Sequence, residues 1–112
     1  MATEEWAKEL KKNTTIMKKT FEDNHLELLG FSFSSDNNSL HCYVEISARA
    51  ENDTVEDCYI KLNLYDEDGD ICRVEEEYIS DFSGYDTIDI WCAWFDDCTD
   101  IIRKARLYVK KK

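Results

Sequence analysis

Several stretches of the chain alternate apolar and polar residues with a period of two. Cys58, Ile60, Leu62 and Leu64 occupy one phase, and Tyr59, Lys61, Asn63 and Tyr65 the other. Successive side chains of extended backbone point to opposite faces, so this spacing predicts a half-buried strand. Residues 40–50 alternate over their whole length. Leu40, Cys42, Val44, Ile46, Ala48 and Ala50 face inward, while His41, Tyr43, Glu45, Ser47 and Arg49 face outward. Residues 87–95 set Ile88, Ile90, Cys92 and Trp94 against Asp89, Trp91 and Phe95. Residues 101–109 place Ala105, Leu107 and Val109 inward and their basic neighbours outward.

Two more segments read as strands with less regular patterns. Residues 26–34 put Leu29, Phe31 and Phe33 on one face, with Gly30 marking a bulge or a close backbone approach. Residues 71–79 contain Glu75, Glu76 and Glu77, and such charges suit a sheet edge, where they block pairing with another molecule. Polar runs rich in Asn, Asp and Ser separate the strands. Among them Asp66-Glu67-Asp68-Gly69-Asp70 carries the Asp-Gly signal of a type I′ hairpin turn.

Residues 3–22 follow the helical period instead. Trp6, Leu10, Met17 and Phe21 form one stripe, Thr3 is placed to cap it, and Glu4 and Glu5 face the positive end of the helix dipole. Asn13-Thr14-Thr15 is the weak point of this helix. The expected fold is a single domain over 1–112, with one N-terminal helix (3–22) and an immunoglobulin-like antiparallel β-sandwich of six or seven strands (26–109). At 112 residues such a domain buries roughly two-thirds of its unfolded surface and needs no staples.

Charge divides the chain. The net charge is −11, yet residues 23–100 hold 21 acids against Arg49, Lys61 and Arg73 alone, whereas residues 101–112 hold six basic residues and no acid. The acidic stretch repels nucleic acid and anionic membrane and attracts a basic partner. It also keeps a β-rich domain soluble. The cysteines, Cys42, Cys58, Cys72, Cys92 and Cys98, are odd in number and lack a Cys-x-x-Cys pair. With no leader-like apolar run, they point to a reducing, cytoplasmic setting, the alternative being a secreted chain whose leader has been removed.

The run Leu62-Asn63-Leu64-Tyr65-Asp66, followed by Glu67-Asp68-Gly69, resembles the FxLYD family, named for an aromatic-x-Leu-Tyr-Asp strand end. Leu62 stands where that family has Phe, and Asn52 lies in a polar turn upstream as the family pattern has it. The resemblance covers 26–109. It implies an immunoglobulin-like sandwich used as an accessory module of bacterial proteins, often outside the cell, and it brings no catalytic residues. The helix in front, the cysteines and the missing secretion signal depart from it.

Candidate chemistry is sparse. Asp66, Asp68 and Asp70 could meet Asp96, Asp97 and Asp100 at one pole of a sandwich, where six carboxylates could hold Ca²⁺. Ile71 occupies the position where an EF-hand loop needs glycine, so the commoner reading is solvated turn acids, with Asp66 capping N–H groups of its own turn. Cys42 and Cys92 could pair as in an immunoglobulin domain if the chain is secreted, and a zinc site on His41 or Cys98 lacks the close ligand spacing such sites use. His25 and His41 have no nucleophile at a motif spacing, so no Ser/His/Asp or Cys/His catalysis is expected. Tyr43, Tyr59, Tyr65, Trp91 and Phe95 fall on outward phases and are candidates for partner contact, unless the helix covers them. The expected function is a non-enzymatic binding or accessory module acting through protein–protein contacts. The alternative is a small acidic inhibitor of phage type that occupies the basic nucleic-acid-binding surface of a host enzyme.

Overall fold

The computed structural model describes the backbone of residues 4–36, 39–49, 55–94 and 101–112. Among the described residues seven strands form two sheets: β2 (Leu26–Asp36), β3 (Ser39–Ala48) and β6 (Tyr85–Trp94) in one, and β1 (Thr14–Ile16), β7 (Lys104–Lys111), β4 (Cys58–Tyr65) and β5 (Ile71–Ile79) in the other. The spatial orders are β2-β3-β6 and β1-β7-β4-β5. β3, β4 and β7 are flanked on both sides, and the alternation is cleanest in β3 and β4. Leu40, Cys42, Val44 and Ile46 from β3 meet Ile60, Leu62 and Leu64 from β4 in one buried core, joined by Ile90 and Leu107. Each such Leu, Ile or Val side chain contributes about 1.5–3 kcal/mol when fully buried.

The expected helix over 3–22 is broken in two. α1 (Glu4–Lys12) and α2 (Lys18–Asp23) flank the three residues of β1, which run parallel to β7. The cause is local and tertiary together. Thr14, Thr15 and Ile16 are β-branched and prefer extended backbone. Thr14 Oγ1 donates to the Leu10 carbonyl at 2.7 Å, while Met17 N donates to Leu107 O and Ala105 N to Asn13 O across the new edge. The break resets the helical phase, so Leu10 and Phe21 reach the core whereas Met17 is 42% exposed. Thr3, the expected cap, lies outside the described residues.

Both helices pack on β2 and β7, closing that side of the sandwich. Trp6 Nε1 donates to the Ile102 carbonyl at 3.1 Å and pins α1 there. The alternative that the helix covers an outward aromatic face is therefore corrected: Leu10 and Phe21 are drawn into the core, Trp6 packs against it, and Met17 stays exposed. On the opposite side β5 packs against β6.

Two details of register differ from the sequence reading. A bulge between Leu28 and Gly30 leaves Leu29 unpaired and 48% exposed, so only Phe31 and Phe33 of the expected trio face inward. In the turn after β4 only Gly69 has positive φ (+87°), whereas type I′ needs it at both central residues. Gly69 N donates to Asp66 O and Asp66 N to Asp70 O, giving a wider loop. β5 is an edge, as Glu75–Glu77 suggested. Glu75 and Glu77 sit opposite the buried Leu62 and Ile60, so they turn charge inward at the rim.

Candidate interaction surface

Burial of Cys58, Ile60, Leu62 and Leu64 forces Tyr59, Lys61, Asn63 and Tyr65 onto the outer face of the four-stranded sheet. Register then fixes their neighbours. β7 sets Lys110, Tyr108, Arg106 and Lys104 beside them on one side. β5 sets Tyr78, Glu76 and Val74 opposite Tyr59, Lys61 and Asn63 on the other. The result is a tyrosine row flanked by a basic strand.

This surface is ordered by its own contacts. The Tyr59 and Tyr78 rings lie 5.2 Å apart. Tyr108 Oη donates to Asn63 Oδ1 at 3.3 Å, and Asn63 Nδ2 donates to Tyr65 Oη at 3.2 Å. The Arg106 guanidinium lies over Tyr65 at 5.8 Å and the Lys112 ammonium over Tyr78 at 5.3 Å, within cation–π range. At the rim, Tyr78 Oη donates to Asp57 Oδ2 at 2.6 Å. That hydrogen bond, with nearby Lys112, holds the Asp57 carboxyl below its ordinary value. Lys61, Lys104, Arg106 and Lys110 make no ion pair with a described residue. In a chain with 25 acids and 14 bases, cations gathered on one face without an ion pair among the described residues stand out.

Of the five outward aromatics, Tyr59 and Tyr65 lie here, while Tyr43 and Trp91 lie on the outer face of the other sheet. Phe95 is outside the described residues. Tyr78 and Tyr108, and the cations between them, were missed as contact residues. Their outward phase was legible, but the pairing that sets β7 beside β4 joins segments some 45 residues apart.

The other outer face holds an arrangement that the sequence reading did not expect. Ser39 Oγ lies 2.9 Å from His41 Nε2, and His41 Nδ1 lies 2.7 Å from Asp89 Oδ1. The His41 ring stacks on Tyr43 at 5.9 Å, and the Arg73 guanidinium sits over Trp91 at 5.4 Å. The connectivity is that of a serine hydrolase relay, which also requires access to the hydroxyl and donors for an oxyanion. Ser39 is only 5% exposed. Its side chain and that of His41 neighbour each other simply because alternate strand residues share a face, and Asp89 arrives from the adjacent strand. The contacts staple β3 to β6 beside the bulge at Leu40–His41. Both ring nitrogens of His41 are engaged, which leaves it a poor zinc ligand.

The acidic turn is held by its first residue. Asp66 Oδ1 accepts the N–H groups of Asp68 and Asp70, each at 2.9 Å. Asp96, Asp97, Cys98 and Asp100 lie outside the described residues. Among the described residues no group of His, Cys, Asp or Glu is arranged to hold a metal.

Cys42, Cys58 and Cys92 are free thiols. Burial, aided by the Asp89 charge, pushes Cys42 up to about 12, and burial also raises Cys58 and Cys92. Cys42 and Cys92 sit on neighbouring strands of one sheet, not across the sandwich as an immunoglobulin disulfide does. Cys72 is half-buried, at the register shift between Leu64 and Tyr65 on β4.

The fold and this face describe a β-sandwich with a helical plug and a basic tyrosine-lined sheet surface. Comparison with family models, curated proteins and solved structures returns no match.

Proposed function

We propose that the chain is a non-enzymatic binding module that works through protein–protein contacts, with the outer face of the four-stranded sheet as its contact surface. The observation carrying this reading is the row Tyr59, Tyr65, Tyr78 and Tyr108 interleaved with cations that make no ion pair with a described residue. Tyr and Arg are the residue types that dominate binding energy at interfaces. Unpaired Lys and Arg there favour a partner that brings negative charge.

Strand order supports an immunoglobulin-like reading. With β2, β3 and β6 as strands A, B and E, and β4, β5 and β7 as C, C′ and F, the orders A-B-E and C′-C-F follow. β1 takes the place beside F, although it runs parallel to it. The resemblance of Leu62–Gly69 to the FxLYD family agrees with an accessory module. The buried thiols fit a reducing, cytoplasmic setting, and no helix among the described residues is long and apolar enough to cross a membrane.

A second reading, an acidic inhibitor of a basic surface, draws on the other side of the molecule. Glu77 is held above its ordinary value by burial and by the charge of Asp89, a crowding of carboxylates that a partner's cation would relieve. Retention of proteins from the native host's lysate distinguishes the two. The expected result is a partner bound by the wild type and by Glu45→Lys on the opposite sheet, but lost with Lys61→Glu/Lys110→Glu. Loss with Glu45→Lys alone would transfer the function to the acidic side.

A further inference from the structure

The basic face has a low point where β1, β7 and β4 meet. Asn13, Thr15, Tyr65, Gly69, Lys104 and Arg106 line a depression of about 180 Å³. Thr15 stands opposite Arg106, and Lys104 opposite Tyr65, so these side chains share one face at about 4.8 Å across strands and about 7 Å along them. Cation–π contact with Tyr65 fixes the Arg106 guanidinium beside the depression. Gly69, at φ +87°, turns backbone without a Cβ toward the rim. Lys104 and Arg106 have no ion-pair partner, and the Thr15 hydroxyl and Asn13 carboxamide no hydrogen bond, among the described residues. Two cations and two neutral donors around one hollow form the donor set that oxyanions require. The hollow has the volume of about six liquid waters at roughly 30 Å³ each, enough for a phosphate group and part of its carrier.

We propose that this depression is an oxyanion site that takes a phosphate monoester or a carboxylate presented by a short segment of a partner protein. The inference rests on the reading of this face as the contact surface, and it names what the partner brings. A nucleic acid fits less well. The β7 strip is eight residues long, about 27 Å at ~3.4 Å per residue. Asp66, Glu67, Asp68 and Asp70 follow β4 at one end, and Glu56 and Asp57 precede it at the other. A polyanion outrunning the strip enters the field of those acids within a screening length of about 8 Å. The hollow lies at the acidic-turn end, since Gly69 stands between Asp68 and Asp70, so a short segment that ends in the hollow and runs back along β7 meets those acids least.

Titration of the full isotope-labelled chain with inorganic phosphate, against sodium chloride of matched ionic strength, tests the site directly. Saturable amide shifts are expected at Thr15, Gly69, Ala105 and Arg106, and are abolished in Lys104→Gln/Arg106→Gln. Equal, unsaturated shifts at Lys61 and Lys110, or an unchanged response of the variant, would overturn it. The variant's unperturbed amide spectrum elsewhere certifies its fold. An eight-residue phosphoserine peptide, with serine and glutamate counterparts, then identifies the source. Binding at least tenfold tighter for phosphoserine assigns a phosphate, and equal binding of the phosphoserine and glutamate forms, both above serine, assigns a carboxylate. Equal binding of the serine peptide, or tighter binding of an eight-nucleotide oligothymidylate, would sink the proposal. If the lysate partner survives Lys104→Gln/Arg106→Gln but is lost with Lys61→Glu/Lys110→Glu, the oxyanion site falls while the contact surface stands.

Discussion

Glu77 shows how one side chain is set by where its strand ends up. It sits opposite the buried Ile60 at the β5 edge, beside Asp89 of the other sheet. Burial first, and the Asp89 charge second, raise its carboxyl above the ordinary 4.5. The folded state therefore holds this proton more tightly than the unfolded chain does, and the charged form at neutral pH costs stability. That cost is present above the folded-state value and is relieved as pH falls through it. Glu77→Gln should accordingly melt higher than the wild type at pH 7, with the gap starting to close as pH falls through the raised folded-state value and gone below the ordinary 4.5. A gap independent of pH, followed by calorimetry of both proteins, would remove Glu77 as its source. Asp66 is the opposite kind of acid: its Oδ1 accepts two N–H groups of its own turn and so fixes the loop. The sequence suggests that role, because Asp opening a turn has N–H groups within reach two residues on. It says nothing of Glu77's neighbour, which lies on another sheet.

Among the elements, the broken N-terminal segment tests the packing account best. Leu10 and Met17 would share a stripe on one continuous helix, but β1 separates them. Leu10 is in the core and Met17 is not. Leu10→Ala should cost roughly 2–5 kcal/mol, whereas Met17→Ala should stay within about 0.5 kcal/mol. Urea unfolding with an unchanged slope measures both, and similar losses at the two positions would restore the single helix. The strands differ in how readily they could be read. β3 and β4 were legible because both alternate without interruption and each is flanked on both sides in its sheet. β5 was legible as an edge from its three consecutive glutamates. β1 was not, since three residues carry no period and its hydrogen bonds come from β7, about ninety residues later. The inward phase of β2 was misassigned before Gly30 because the bulge at Leu29 inserts a residue. The contact surface was half legible: each strand's outward phase could be read, but the adjacency of β4 and β7 is a property of topology.

At the scale of the whole molecule, charge is divided. The chain carries −11 overall, yet one sheet face presents Lys61, Lys104, Arg106 and Lys110, none in an ion pair with a described residue. If those cations stabilised the fold through local pairs, reversing them would cost stability at every ionic strength. If they serve a partner, reversal should act only through the total charge, because excess charge of one sign destabilises a compact state by self-repulsion. Lys61→Glu/Lys110→Glu takes the net charge from −11 to −15, each reversal counting two. The variant should melt a few degrees below the wild type near 0.01 M salt, where the Debye length is about 30 Å, and coincide with it near 1 M, where it is about 3 Å. The wild type itself should melt higher as salt is added, since its own acids repel one another. A deficit that persists at high salt would mean that Lys61 and Lys110 hold the sheet together. Loss of the lysate partner in that variant would then report damage to the fold, and only the Lys104/Arg106 variant could speak for the surface. Coincident melting at high salt leaves these cations without a structural task, as expected of a surface kept for something outside the molecule.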